Sequence, residues 1–398
     1  MGQSIERYLE RLEGSAAELA KANSRIEAII ELKRKGYSRS AIRDRIPGSA
    51  FVNDFLLEVS EARMRCASRY SRWRWLWLDS YSSMYATPEM VGNYRAERLK
   101  GYEIVDIGCG AGLQAIMFAM STPTTGIEAD PLRYRLARLN RSVYGANDLR
   151  LVRGRFPDAM RNLSIPSGTV LFSDPLRPHK SSVARLSELS PDPGAIVNQL
   201  SGKTDSFVFD LPPMMSIRNF PFPGELEYIS TNGSVSRLTY YSSPLSDTMR
   251  RAVILPDMKV ISGAPGDVDL DPADVPRDLI LLPDQSVVKA ELLWKIPGIE
   301  DLGLVQKDER RMILTGNDID TRSFPGEIYQ VTGQCNRSDL VSKLKGLSAG
   351  RVFFRFPMQT DAYYTLKNQI ERELNGDREY YIFMQEDRLI IARKLMRE

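Results

Sequence analysis

Over residues 1–85, apolar positions recur at helical spacing. "SIERYLERLEGSAAELAKANSRIEAIIELKRKG" carries mixed charges on an amphipathic repeat that stops at Gly36. "YSRSAIRDRI" reads as a short helix, and a third helix is predicted over about 51–75. The pattern changes after "ATPEMVGNYRAERL", a helix with clear start signals: Thr87 as N-cap, Pro88 in the first turn, Glu89 after it. Short apolar runs at 103–107, 124–128, 149–153, 169–173 and 206–210 then alternate with helical stretches. That alternation predicts a parallel sheet with crossover helices. "YISTNGSVSRLTYYS" adds two strands around Asn232-Gly233, a type I′ hairpin signal. Past "RAVILP" the segment "SGAPGDVDLDPADVPRD" is rich in Pro, Gly and Asp and marks a boundary or long loop. Residues 280–398 place the strands "RVFFRF", "YYIFMQ" and "RLIIARKL" around the helix "DAYYTLKNQIEREL", a small α+β arrangement. The expected fold is α/β with a Rossmann-like sheet. The expected division is an N-terminal helical domain over 1–85, the sheet domain over 86–256 and an α+β domain over 257–398.

The stretch "EIVDIGCGAGLQAIMFAM" at 103–120 narrows the chemistry. A buried strand runs into Gly108, Gly110 and Gly112, which let the chain bend sharply before a helix. A strand, a glycine turn and a helix N-terminus make a nucleotide-binding crevice in α/β folds. A dinucleotide site wants G-x-G-x-x-G, but Leu113 stands at the third position of that pattern. Asp106 at the strand end would repel a pyrophosphate, whereas it suits a cofactor carrying an ammonium and a sulfonium, such as S-adenosylmethionine. Glu128, ending the second strand in "TTGIEADP", lies at about the spacing where an acid holds ribose hydroxyls. D-x-G-x-G-x-G with Glu128 therefore reads as a methyltransferase cofactor site, with Ala129 beside it in the binding set. A glycine turn holding no cofactor is the plain alternative.

Composition changes this picture little. The chain has 398 residues, enough for two or three domains, and an ordinary globular composition. No apolar run approaches the ~18 residues of a membrane span, and the N-terminus lacks a secretory apolar region. Cys66, Cys109 and Cys335 are scattered and odd in number, which points to a reducing, cytoplasmic setting and away from disulfides or a zinc site. The single histidine, His179, leaves no His-rich metal site to assemble, and no Ser-His-Asp triad is read from it. The net charge of +3 is too small to prove a nucleic-acid partner.

Catalytic groups belong at the strand ends beside the cofactor turn. Two acids qualify. "VLFSDPLRP" ends the fourth strand with Asp174-Pro175, and "FVFDLPP" ends the fifth with Asp210-Leu211-Pro212-Pro213. An acid before proline there can accept hydrogen bonds from an exocyclic amine of a base and hold the nitrogen lone pair toward the methyl. Position favours Asp174, because the fourth strand adjoins the first; the D-x-P-P pattern favours Asp210. Either acid could instead cap a turn. Arg177 stands where an aromatic often follows, and can stack on a base or meet a phosphate. "RMRCASRYSRWRWLWL" interleaves Arg63, Arg65, Arg69, Arg72 and Arg74 with Tyr70, Trp73, Trp75 and Trp77, and "PLRYRLARLNR" adds Arg133, Arg135, Arg138 and Arg141. Such runs suit phosphate contacts with base stacking, or equally a solvated face over buried tryptophans.

"ATPEMVGNYRAERL…IVDIGCGAGLQAIMFA…GIEADPLRYRLARLNRSVYG" resembles the RNA cap guanine-N2 (trimethylguanosine synthase-like) methyltransferases. The segment order across roughly 50–398 is similar to prokaryotic class I methyltransferases with a C-terminal THUMP-like domain, at "FSDPLRP", "SPDPGAIVNQL", "EYISTNGSVSRLTYY" and "RRAVILP". The resemblance implies that Thr87, Asp106, Gly108, Gly110, Gly112 and Glu128 line the S-adenosylmethionine site, with Asp174, Pro175 and Arg177 at the reaction centre. It implies a base exocyclic amine as target, guanine N2 first and adenine N6 second, in tRNA or other structured RNA; composition points to no membrane or metal partner. The sequence departs from the cap enzymes at Leu176-Arg177, where they carry a tryptophan, and at Arg155, where an acid is common. The alternatives are a non-catalytic RNA-binding protein of the same fold and a DNA adenine-N6 methyltransferase.

Overall fold

The computed structural model describes residues 2–176, 185–217, 220–308 and 311–395. The chain forms two compact units, one of residues 1–225 with 237–247, the other of residues 226–236 with 248–398.

In the first unit, α1 (Gly2–Gly14), α2 (Ala16–Arg34), α3 (Arg39–Arg45) and α4 (Ala50–Arg65) precede two short helices, α5 (Ser80–Tyr85) and α6 (Glu89–Arg98). Strands and helices then alternate: β1 (Ile104–Ile107), α7 (Leu113–Ala119), β2 (Thr124–Glu128), α8 (Pro131–Tyr144), β3 (Leu149–Arg153), β4 (Val170–Ser173), α9 (Pro193–Leu200) and β5 (Phe207–Leu211). The strand order runs β3-β2-β1-β4-β5, all parallel. Leu238–Tyr241 of β7 (Ser234–Ser242) then pairs antiparallel with β5. The order reverses on either side of β1, so β1 and β4 splay their following loops apart and open a crevice at their carboxyl ends. β1, β4 and β5 are buried throughout, as strands covered on both faces must be. One apolar core joins the early helices to this sheet: Ile26, Leu56 and Trp77 belong to the same cluster as Ile104, Phe118 and Phe172.

Two local expectations fail. The third helix stops at Arg65 rather than near 75; Cys66 caps it, and its N–H reaches back to Ala62. The chain then winds through a short 3-10 turn at Trp73–Trp75, because Tyr70 and Trp77 are drawn into the core. Thr87 is not the N-cap of α6. Pro88 holds that place without a side-chain bond, while Thr87 is buried and its carbonyl accepts from the Tyr70 hydroxyl at 2.6 Å.

In the second unit, β6 (Gly224–Thr231) pairs parallel with β8 (Arg250–Leu255), which pairs antiparallel with β9 (Lys259–Gly263). Asn232 and Gly233 both take positive φ, as a type I′ turn demands, and the Ser236 hydroxyl closes the turn onto the Ile229 carbonyl at 3.1 Å. A second sheet follows. Its members are β10 (Leu279–Pro283), β11 (Gly303–Lys307), β12 (Met312–Gly316), β13 (Gly326–Cys335), β14 (Ala349–Phe354), β15 (Arg378–Gln385) and β16 (Arg388–Lys394). They run in the order β11-β12-β10-β13-β16-β15-β14. α10 (Gln285–Lys289), α11 (Leu340–Gly346) and α12 (Thr360–Glu371) complete the unit. Leu344 and Ile370 from the last two pack on Val352, Ile382 and Ile391.

Candidate active site

A cavity of about 990 Å³ opens at the carboxyl ends of the central strands, all of its lining drawn from the first unit. That is the size of a pocket for a nucleoside-sized cofactor and its substrate. Of the sequence-expected residues, Thr87, Asp106, Gly108, Gly110, Glu128, Ala129, Asp174, Pro175 and Asp210 line it together. Gly112 does not. Its φ of +83° begins α7, and a Cβ there would stand 2.9 Å from that of Ala137, so this glycine serves the close approach of α7 and α8. Arg177 lies outside the described residues.

The glycine turn is held from one side by Glu128. One carboxylate oxygen accepts from the Gly110 amide at 2.7 Å and the other from the Asp130 amide at 2.7 Å. Each oxygen keeps a second lone pair, free to take a hydroxyl from the cavity. Gly108 and Gly110 have positive φ, and a Cβ on either would meet no protein atom within 4 Å, so the turn presents bare backbone to open space. Asp130 caps α8, accepting from the Arg133 amide at 3.0 Å, with Pro131 at the first helical position. The Ser173 hydroxyl donates to the Ile107 carbonyl at 2.8 Å and locks the end of β4 against that of β1.

The two acid candidates occupy unlike environments. Asp210 forms a 2.6 Å ion pair with Arg95, both side chains at most 2 % exposed. It also meets Arg237 at 3.3 Å and the Thr239 hydroxyl at 3.4 Å. Burial opposes the charge on Arg95, but Asp210, Tyr241 and Asp174 together outweigh it and hold the guanidinium charged. Asp174 is partly exposed to the cavity. Burial, then repulsion from Asp210, pushes its carboxyl up to about 7, against the pull of Arg237 and Arg95. Asp106 is raised too, by burial and then by Asp174 and Glu128. The cavity thus holds clustered carboxylates whose repulsion a proton or an added cation would relieve.

Sequence reasoning missed Arg95, Arg237, Tyr81 and Tyr85. Arg95 had a signal: with Val91, Gly92, Ala96 and Leu99 it falls on the apolar face of α6, where an arginine needs a buried partner. Each arginine of the run at 63–74 is bonded within the fold, though only Arg63 is buried and Arg65, Arg72 and Arg74 stay exposed. Arg63 is buried, bonding the Leu76 carbonyl and Asn23 and lying over Trp77. Arg65 bonds Ser83, Arg69 the Ser83 and Ala86 carbonyls, Arg72 the Val143 carbonyl, and Arg74 pairs with Glu27. In α8, Arg133 pairs with Asp79, Arg135 with Glu10 and Glu13, and Arg138 with Glu13. Arg69 and Arg72 lie beyond the helix, which ends at Arg65.

No family model matches this chain, and no curated protein matches it either. Among solved structures, a provisionally assigned methyltransferase from Porphyromonas gingivalis W83 superposes with a TM-score of 0.69 over 93 % of this chain and 98 % of that one, at 16 % identity. The chain has a class I methyltransferase fold. An RNA methyltransferase from Salinibacter ruber, solved with S-adenosyl-L-homocysteine, is similar over 42 % of this chain and 96 % of that one, at 17 % identity and a TM-score of 0.30, too low to add to the argument. In a class I methyltransferase fold, the open glycine turn, the spare lone pairs of Glu128 and the clustered acids fit S-adenosylmethionine, whose ammonium and sulfonium would answer the repulsion at Asp106 and Asp174. Among the described residues no group of His, Cys, Asp or Glu is placed to hold a metal, and no helix is long and apolar enough to cross a membrane.

Proposed function

We propose that the protein is an S-adenosylmethionine-dependent methyltransferase acting on an exocyclic amine of a base, guanine N2 first, in tRNA or other structured RNA. In this reading residues 257–398 form a THUMP-like module that engages the RNA. The observation that carries the reading is Asp174: a carboxyl before proline at the end of β4, facing the cavity, poised about 7 beside a cation-seeking cluster. The cofactor, when bound, supplies an electrophilic methyl. Asp174 accepts a hydrogen bond from the amine and turns its lone pair toward that methyl. The nitrogen gains a bond to carbon and must lose a proton, and a carboxylate titrating near neutrality can take it. Asp210, neutralised by Arg95 and Arg237, fixes the charge around Asp174 and does not act as the acceptor. Asp106 and Glu128 hold the cofactor, with Thr87 and Ala129 beside them.

Calorimetry tests the cofactor half: S-adenosylmethionine and its demethylated product should bind, and Gly110→Arg should abolish binding by filling the turn. Tight NAD binding without response to S-adenosylmethionine would refute it. Labelled methyl transfer to bulk RNA, followed by nucleoside mass spectrometry, tests the acceptor half, with N2-methylguanosine expected. The bonds that Arg63, Arg69 and Arg72 already make within the fold favour a second reading, a free nucleotide as acceptor, which predicts transfer to mononucleotides and none to RNA.

A further inference from the structure

A planar acceptor ring needs a surface to lie on, and neither acid motif provides one. The chain reads Asp174-Pro175-Leu176-Arg177 after β4 and Asp210-Leu211-Pro212-Pro213-Met214 after β5, with no aromatic in either. Among the described residues, the rings lining the cavity are Tyr81, Tyr85, Phe156 and Phe172. Phe172 is buried beneath the Arg95 guanidinium, 5.7 Å away. Phe156 follows β3, on the Glu128 side of the crevice. Tyr81 is engaged twice: the Arg133 guanidinium lies 4.2 Å from its centroid, and the Tyr85 ring packs on it at 4.6 Å. Tyr85 is left 49 % exposed while lining the cavity.

Tyr85 is also tied to the reaction centre through its backbone. Arg237 donates to the Tyr85 carbonyl at 3.2 Å and pairs with Asp210 at 3.3 Å, so one guanidinium spans the end of α5 and the end of β5. Tyr81 stands near enough to Asp174 for that carboxylate to raise its hydroxyl pKa, after burial and against Arg133. An exposed aromatic on the cavity wall, packed at a 41° tilt against a ring that a guanidinium covers, offers a face for stacking.

We propose that Tyr85, seated on Tyr81 and Arg133, is the shelf on which the purine ring of the acceptor stacks, replacing the aromatic absent from both acid motifs. This rests on the methyltransferase reading above and names how its acceptor is selected. Every base has a stacking face, so Tyr85 sets affinity for a planar ring while Asp174 chooses the amine.

The test titrates protein saturated with S-adenosyl-L-homocysteine with GMP, AMP and a guanosine-containing RNA hairpin, by calorimetry. Tyr85→Ala should weaken purine binding about tenfold or more, and Tyr85→Phe should bind as wild type. Affinity for S-adenosyl-L-homocysteine and the melting temperature should not move, because Arg237 holds the Tyr85 backbone and not its ring. A tenfold loss on the mononucleotides and the hairpin alike supports a shelf open to a free nucleotide; a loss on the hairpin with no mononucleotide binding supports a shelf that reads RNA. Unchanged purine affinity in Tyr85→Ala, or a wild type that binds S-adenosyl-L-homocysteine but none of the three probes, overturns the proposal and leaves the cofactor reading standing. Failure to bind S-adenosyl-L-homocysteine at all overturns both.

Discussion

Asp174 and Asp210 close neighbouring parallel strands, each shortly before a proline, yet the fold treats them in opposite ways. Asp210 is buried against Arg95 with Arg237 and Thr239 in reach, and its charge is cancelled where it stands. Asp174 lines the same cavity but is only half-buried, and it feels Asp210 as a like charge. What separates them is one arginine from a distant helix. A short motif specifies a carboxylate at a strand end, but its partner decides whether the group carries structure or chemistry.

The largest expected effect breaks the structural side of this pair. Arg95→Met should destabilise the protein by about 3–5 kcal/mol, since it strands the buried Asp210 carboxylate. The double variant Arg95→Met with Asp210→Leu should recover most of that loss, because replacing both partners removes the uncompensated charge. Urea denaturation of the three proteins checks this; equal stability of Arg95→Met and wild type would mean the pair is not formed.

The catalytic side should respond in rate instead. Asp174→Ala should keep cofactor binding and the denaturation midpoint while methyl transfer falls roughly 10²–10³-fold. Loss of transfer in a folded Asp210→Asn with full activity in Asp174→Ala would reverse the assignment. Acidity sharpens the contrast. Asp174 must be ionised to accept from the amine, and its folded pKa is raised to about 7. Hence kcat/KM should fall about tenfold per unit as pH drops below that value. For stability the sign is opposite. The folded state holds this proton more tightly than the unfolded chain, so between the ordinary carboxylate range and about 7 the Asp174 contribution declines as pH rises. Asp174→Asn should flatten both profiles.

The fold was largely legible because its cues are local. The five parallel strands, the glycine turn and the Asn232-Gly233 turn each announce themselves within a few residues. The glycine turn was legible for the same reason, and Glu128, named from the sequence, holds its Gly110 amide. What escaped was every interaction across long sequence distance. Arg95 reaches Asp210, Arg237 reaches both Asp210 and the Tyr85 carbonyl, and no spacing rule links those positions. Gly112 reads as part of a cofactor turn and proves to be a packing glycine, because Ala137 arrives from the next helix.

The arginine run marks the same divide on the surface. Read in one dimension, five arginines among aromatics at 63–77 look like a phosphate-binding stripe. In the fold, Arg65, Arg69 and Arg72 donate to Ser83, to the Ser83 and Ala86 carbonyls and to the Val143 carbonyl, fastening the segment onto α5 and α8. A guanidinium that already donates inward has less to offer a phosphate. Replacing all three with alanine should therefore lower stability by no more than about 1 kcal/mol per arginine, the usual net worth of such hydrogen bonds. It should leave the salt dependence of RNA binding where it was. Were these side chains phosphate contacts, each would add about −0.7 to the slope of log affinity against log salt for a single strand, and the triple variant would flatten it by about two units. Measuring affinity for one RNA at several salt concentrations, with a melting curve of each protein, separates the two. A flattened slope at unchanged melting temperature would return the run to the surface and make it the RNA interface.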